Sequence, residues 1–125
     1  MIFDTDVFIW IQRGSASAAD ALERESGRFI SAQTYMELMQ GAKNREQQNA
    51  ARRFLRDFGV RIIPLSAEIG DRAMSLVEQF SLSHDMRAGD AIIAATALEQ
   101  AQTLCTSNVK RYRQIPLLQV KCFKP

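Results

Sequence analysis

Short apolar runs alternate with helix-like stretches along this sequence, and this alternation restricts the fold more than any other feature. The runs at 1–4 and 60–65 are almost continuously apolar, whereas residues 66–80 carry their apolar side chains three or four positions apart. Continuous rather than alternating apolar strands are typical of a parallel sheet with helices on both faces. We therefore predict an α/β fold, a single domain over 1–125 with a parallel sheet of about five strands.

Local signals divide the chain into elements. Strands are predicted at residues 1–4, 28–31, 60–65, 104–106 and 117–120. Side chains that accept a hydrogen bond from the first turn of a helix precede four predicted helices, namely Ser15 or Ser17, Ser31, Asn44 and Ser66. Short helices are predicted at 6–11 and 109–115, and an apolar helix is predicted from Asp90 to about Ala101, after a break at Gly89.

Three carboxylates stand in apolar surroundings. Asp4 ends the first apolar run, Glu37 lies within a mostly apolar helix, and Asp90 opens the helix that is apolar on nearly every face. Ionised side chains are rarely buried without a partner, and carboxylates brought together repel one another. A divalent cation removes this repulsion, and oxygen ligands favour hard ions such as Mg²⁺, with Mn²⁺ as a substitute. We therefore predict a metal site formed by Asp4, Glu37 and Asp90.

Composition and charge limit the possible functions. The 125 residues are 46% apolar and 24% charged, as in a globular protein with a core, and no apolar run is long enough to cross a membrane. The absence of a signal-peptide pattern favours a cytoplasmic location, in which Cys105 and Cys122 would be reduced core thiols. The net charge of +2 is concentrated in basic stretches at 43–61 and 108–125. Taken alone, such stretches are more typical of solvated surfaces than of nucleic-acid binding.

Four segments of this sequence stand out as motifs, namely IFDTDVFI at 2–9, SAQTYMELMQG at 31–41, GDAIIAATAL at 89–98 and CTSNVKRY at 105–112. They resemble the motifs of PIN domains, and specifically of the VapC ribonuclease toxins of bacterial toxin–antitoxin pairs. Their order and spacing make the resemblance specific, and it extends over the whole chain. One position departs from the pattern, because Arg111 stands where many members carry a fourth acid and the nearest alternative ligand is the neutral Asn108.

The resemblance implies an Mg²⁺-dependent endoribonuclease toxin that forms a homodimer and is inhibited by a cognate antitoxin, which alone would connect it to DNA. On this interpretation Asp4 and Asp90 bind the metal ion most directly, and Glu37 completes the shell or orients the attacking water. Thr106 and Asn108 would support these ligands from behind. The side chains predicted to contact the RNA backbone are Arg87, Lys110 and Arg111.

Other interpretations remain open. Singly, Asp4 and Asp90 are also suited to capping helices, and Asp6 is predicted to be the cap of the first helix. Asp4 and Asp6 after a first strand also fit a haloacid-dehalogenase-like phosphatase, but no lysine lies between Lys43 and Lys110 to complete its site. The non-enzymatic alternative is a catalytically weakened PIN fold that acts as an antitoxin-bound, DNA-tethered regulatory partner. Arg111 is its best support.

Overall fold

Five short strands form one parallel sheet in the computed structural model, which describes residues 1–125. The strands are β1 (Ile2–Phe3), β2 (Phe29–Ser31), β3 (Arg61–Ile63), β4 (Leu104–Thr106) and β5 (Val120–Cys122). They lie in the order β3-β2-β1-β4-β5, and every neighbouring pair is parallel. The predicted α/β fold with a parallel sheet is confirmed.

Six α-helices connect and cover the strands. They are α1 (Thr5–Gln12), α2 (Ala16–Glu23), α3 (Ala32–Gly41), α4 (Arg45–Asp57), α5 (Ala67–His84) and α6 (Ala88–Glu99), and a single 3₁₀ turn follows at Val109–Arg111. Four helices begin as the sequence predicts, since their caps accept a hydrogen bond from the backbone N–H three residues further on. These caps are Ser15, Ser31, Asn44 and Ser66. No helix has the length and apolar character that a membrane-spanning segment requires.

The sheet separates two apolar cores because successive side chains of a strand point to opposite faces. Ile2 and Leu104 belong to the core that α5 and α6 cover, whereas Phe3 and Cys105 belong to the core on the side of α1 to α4. Ile30 of β2 joins the second core as well. Helices therefore lie on both faces, and the short central strands are buried from both sides.

The structure corrects two predicted helix starts. The first helix begins at Thr5, and its N-cap is Asp4 rather than the predicted Asp6. Helix α6 begins at Ala88 rather than at Asp90, so that Gly89 lies inside the first turn instead of breaking the chain. Glycine leaves room there for Gln33, because a Cβ added at Gly89 would lie 3.0 Å from the Gln33 Nε2.

The C-terminal segment also differs from prediction. The last strand covers Val120–Cys122 and not 117–120, because Leu117 has a φ of 69° and extended structure cannot begin there. The predicted helix at 109–115 is reduced to the 3₁₀ turn. Both cysteines are free, but only Cys105 is buried, and the prediction that Cys122 lies in the core is wrong.

Candidate functional site

Polar side chains collect at the carboxyl ends of the central strands, where α/β proteins form their sites. Asp4 follows β1 directly, and Thr106 is the last residue of the neighbouring β4. The backbone N–H of Asp4 donates to the Cys105 carbonyl at 2.9 Å, which fixes the two strand ends side by side. Residues more than 100 positions apart in the chain therefore meet here.

Asp4 is a buried carboxylate without a cationic partner. Its side chain is 4% exposed, accepts from the Thr5 N–H at 2.8 Å through Oδ1, and accepts from the Thr106 hydroxyl at 2.8 Å through Oδ2. Burial, followed by the charges of Asp6 and Asp90, raises the pKa of Asp4 to about 7 in spite of the lowering effect of its hydrogen bonds from Thr106 and Thr5. An ionised Asp4 thus costs free energy in the protein without a bound cation.

Asp6 belongs to the same cluster, although the sequence predicted it to be a helix cap. Its Oδ2 accepts hydrogen bonds from the Ser107 N–H at 3.0 Å and from the Ser107 hydroxyl. Its Oδ1 is buried and has no hydrogen-bond partner. The sequence did contain a signal for this contact, because Asp4 and Asp6 both follow β1. Strand β1 pairs with β4, and Ser107 directly follows β4.

Glu37 reaches the cluster from α3. The Thr5 hydroxyl donates to Glu37 Oε1 at 2.8 Å and lies 3.0 Å from the Thr34 hydroxyl, which is itself buried. Because Thr5 directly follows Asp4, this hydrogen bond holds the Glu37 carboxylate against the residue next to the buried aspartate. Sequence reasoning identified Glu37 but neither of the threonines that hold it.

Asp90 closes the cluster from the first turn of α6 and is paired with a cation. The Arg111 guanidinium lies 3.2 Å from Asp90 Oδ1, and the side chain of Asp90 is only 14% exposed. Tyr112, the residue after Arg111, is fully buried, and its hydroxyl has no hydrogen-bond partner. Burial, followed by the negative charges of Asp4 and Asp90, raises the pKa of Tyr112. Sequence reasoning missed this tyrosine.

The cluster opens into a polar cavity of about 520 Å³. Glu37 and Asp90 line it together with all three basic side chains predicted to contact RNA, which are Arg87, Lys110 and Arg111. A second, largely apolar groove of about 780 Å³ lies between α1, α3 and α4 and includes Phe8, Leu38 and Phe54. Glu37 borders both cavities, so the carboxylates lie where a polar and an apolar recess adjoin.

The donor set fits a hard divalent cation. Its members are carboxylate oxygens, which hard cations prefer as ligands. One of them, Asp6 Oδ1, is buried without a hydrogen-bond partner, and Asp4 lies close to like charges. The side chains are not arranged as a finished coordination shell, because no three acidic, histidine or cysteine residues already share a point at metal-binding distance. Two of the carboxylates are instead held by protein groups, Asp90 by Arg111 and Glu37 by Thr5.

The two predicted supporting residues contribute differently. Thr106 contacts the cluster with its side chain, since its hydroxyl donates to Asp4 and lies 3.4 Å from Asp6 Oδ2. Asn108 acts through its backbone, because its N–H donates to the Thr106 hydroxyl at 3.0 Å. That bond leaves the single hydroxyl proton of Thr106 directed at a carboxylate. The predicted role of the Asn108 amide has no counterpart among the hydrogen bonds.

Comparison with known proteins identifies the family. The family model of the PIN domain matches residues 1–116. The chain belongs to the PIN domain family. PIN domains are generally nucleases, and membership of this family supports a nuclease function for the carboxylate cluster at the strand ends. Among curated proteins, none matches the chain.

Solved structures of similar PIN folds come from bacterial toxin–antitoxin systems. A toxin–antitoxin complex from Klebsiella pneumoniae is similar at 34% identity, with 94% of this chain and 93% of that chain covered and a TM-score of 0.78. VapBC2 from Rickettsia felis, bound to a DNA fragment from its promoter, is 27% identical over 99% and 100% of the two chains, with a TM-score of 0.80. VapBC-1 from nontypeable Haemophilus influenzae shares the fold, at 24% identity over 98% of each chain and a TM-score of 0.79.

Proposed function

We propose that this PIN domain is an Mg²⁺-dependent endoribonuclease toxin of a toxin–antitoxin pair, with Mn²⁺ as a possible substitute. The observation that carries the proposal is the buried Asp4, which forms no ion pair and shares the Thr106 hydroxyl with Asp6. Burial and the charge of Asp90 raise the pKa of Asp4, and Thr5, the next residue, donates to Glu37. Such a cluster is costly by itself and becomes favourable when a divalent cation compensates its charge.

Asp4 and Asp90 are the residues we propose to hold the cation, with Glu37 completing the shell or orienting the attacking water. Asp6 is added to this set because its buried Oδ1 has no hydrogen-bond partner. A bound Mg²⁺ supplies an acidified water and neutralises charge on the scissile phosphate. Thr5, Thr106 and Ser107 orient the carboxylates by donating to Glu37, Asp4 and Asp6 respectively.

The basic residues beside the cluster are proposed to bind the RNA backbone. Arg87, Lys110 and Arg111 line the polar cavity that Glu37 and Asp90 also line. Phosphates held by these side chains would lie next to the carboxylates, and the affinity for RNA would decrease with salt. Hydrolysis by an activated water is expected to leave a 5′ phosphate and a 3′ hydroxyl.

A cognate antitoxin is the proposed protein partner. Support comes from the Klebsiella pneumoniae and Rickettsia felis relatives, which are described as a toxin–antitoxin complex and as VapBC2 bound to promoter DNA. The apolar groove that ends at Glu37 has the character to receive an apolar segment of such a partner. We further propose a cytoplasmic homodimer that contacts DNA only through the antitoxin, and a domain extending to residue 125, since β5 pairs with β4.

RNA cleavage by the purified chain tests this function. We expect cleavage with Mg²⁺, none with EDTA, and a loss of at least about a hundredfold in Asp90→Asn because a cation ligand is removed. Asp71→Asn is the matched control, because it removes the same charge from an exposed position on α5 that lies outside the four motifs. A fully active Asp90→Asn protein would refute the assignment.

A weakened, regulatory PIN fold is the second candidate, and one contact favours it. Arg111 already neutralises Asp90, so the carboxylates are partly compensated without a metal ion. A folded protein that binds the antitoxin but cleaves no RNA at any Mg²⁺ or Mn²⁺ concentration would support this candidate over the nuclease.

A further inference from the structure

Arg111 is the one basic side chain that forms an ion pair with the carboxylate cluster. The ion pairs of this protein join Arg24 to Asp20, Arg56 to Asp57, Arg72 to Glu99 and Arg111 to Asp90. The residues of the first three lie outside the four sequence motifs. Only the fourth involves a residue of the site, and it uses Asp90 Oδ1 at 3.2 Å.

The two partners of this ion pair differ in their freedom to move. The side chain of Asp90 is 14% exposed and lies in the first turn of α6, whereas that of Arg111 is 55% exposed on a short 3₁₀ turn. A long side chain with its end in solvent can shift at little cost, but a half-enclosed aspartate on a helix cannot. Any rearrangement at this point therefore moves Arg111 and leaves Asp90 in place.

The Arg111 guanidinium also belongs to the lining of the polar cavity that Asp90 and Glu37 line. A cation in this position compensates part of the charge that a divalent ion would otherwise compensate.

We propose that Arg111 is a built-in counter-ion of the metal site, which takes the place of a second cation and lowers the affinity for the first. This inference rests on the proposed function, since it concerns the cation that the carboxylates are proposed to bind. One oxygen of Asp90 stays with Arg111, and the other, with Asp4 and Asp6, remains for a single divalent ion. The protein without metal is stabilised by Arg111, and its affinity for the ion is reduced for the same reason.

Titration of Mn²⁺ into the metal-free protein by calorimetry, without RNA, tests the proposal. We expect one ion per chain in the unaltered protein and an affinity about tenfold higher in Arg111→Gln, because a repelling charge is removed. Arg113→Gln is the matched control: Arg113 is exposed two residues away and has no ion pair, and we expect a change of less than about twofold. Arg111→Lys keeps the charge and should bind Mn²⁺ as the unaltered protein does.

Thermal unfolding supplies a second readout that also reports on folding. Without metal, Arg111→Gln should melt below Arg113→Gln, and saturating Mn²⁺ should raise its melting temperature by more. Equal Mn²⁺ affinity in the two glutamine variants, or tighter binding by Arg111→Lys, would overturn the role of Arg111. The proposed function would survive that result if Asp4→Asn still abolished binding. If the unaltered chain binds no Mn²⁺ at all, both proposals fail.

Discussion

Asp4 shows how a single residue connects folding with function. It caps α1, accepts a hydrogen bond from Thr106 and remains almost fully buried, so it serves the fold and the site together. Hydrogen bonds from two donors offset only part of the cost of its charge, and its pKa remains near 7 instead of 3.8. A bound cation would lower the free-energy cost of this buried carboxylate.

The stability of the metal-free protein should therefore depend on pH through Asp4. Since the folded state holds this proton more tightly than the unfolded chain does, the stabilisation is complete below about pH 4 and is lost as the pH rises towards 7. Urea unfolding in EDTA between pH 4.5 and 7.5 should show a steeper decline for the unaltered protein than for Asp4→Asn. Equal declines in the two proteins would disprove the link to Asp4.

The two cysteines should differ in reactivity by their exposure. Cys105 lies in β4 at 1% exposure, and burial raises the pKa of its thiol to about 12, whereas Cys122 is exposed in β5. Because the thiolate is the reactive form, a thiol reagent at pH 8 should label Cys122 rapidly and Cys105 only on unfolding. Rapid labelling of both thiols in the native unaltered protein, or of the remaining Cys105 in native Cys122→Ser, would contradict this.

At the scale of elements, one arginine joins the ends of two helices to the start of a strand. Arg28 precedes β2, and its guanidinium donates to the carbonyls of Leu22 at 2.8 Å, Glu23 at 3.0 Å and Phe58 at 2.6 Å. These carbonyls lie at the C-terminal ends of α2 and α4, where the last carbonyls of a helix lack their regular intrahelical partners. The same guanidinium lies 5.7 Å from the centre of the Phe58 ring.

Replacing Arg28 by lysine should destabilise the protein, because an ammonium group cannot reproduce this planar arrangement of donors. We expect a loss of about 1–3 kcal/mol in the free energy of unfolding, measured in urea. Arg24→Lys is the control, since Arg24 forms an exposed i,i+4 ion pair with Asp20 and should cost less than about 0.5 kcal/mol. Equal effects of the two substitutions would show that Arg28 makes no special contribution.

At the scale of the whole molecule, the sequence predicted the sheet and several helix starts from near neighbours in the chain. The caps at Ser31 and Ser66 and the parallel sheet followed from local spacing and apolar runs, and they are confirmed. The predicted start of α6 was wrong because Gly89 was interpreted as a break, whereas it lies in the first turn of the helix.

The candidate site was predictable only in part, since its contacts cross the chain. Motif order brought Asp4, Glu37 and Asp90 to attention, and their roles as ligands stay predictions. Asp6 lies inside α1, which Asp4 caps, and its hydrogen bond from the Ser107 N–H spans 101 positions of the chain. The position of Arg111 was recognised as unusual, but its pairing with Asp90 depends on how the 3₁₀ turn packs against α6.

One cation shared by carboxylates from distant parts of the chain is the central proposal, and crystals soaked in Mn²⁺ test it most directly. Anomalous scattering should show one manganese ion per chain within coordination distance of the Asp4 and Asp90 carboxylates, about 2.0–2.3 Å. Arg111 should keep its contact with Asp90. A fully occupied ion elsewhere, or none at these carboxylates at saturating Mn²⁺, would contradict the proposal.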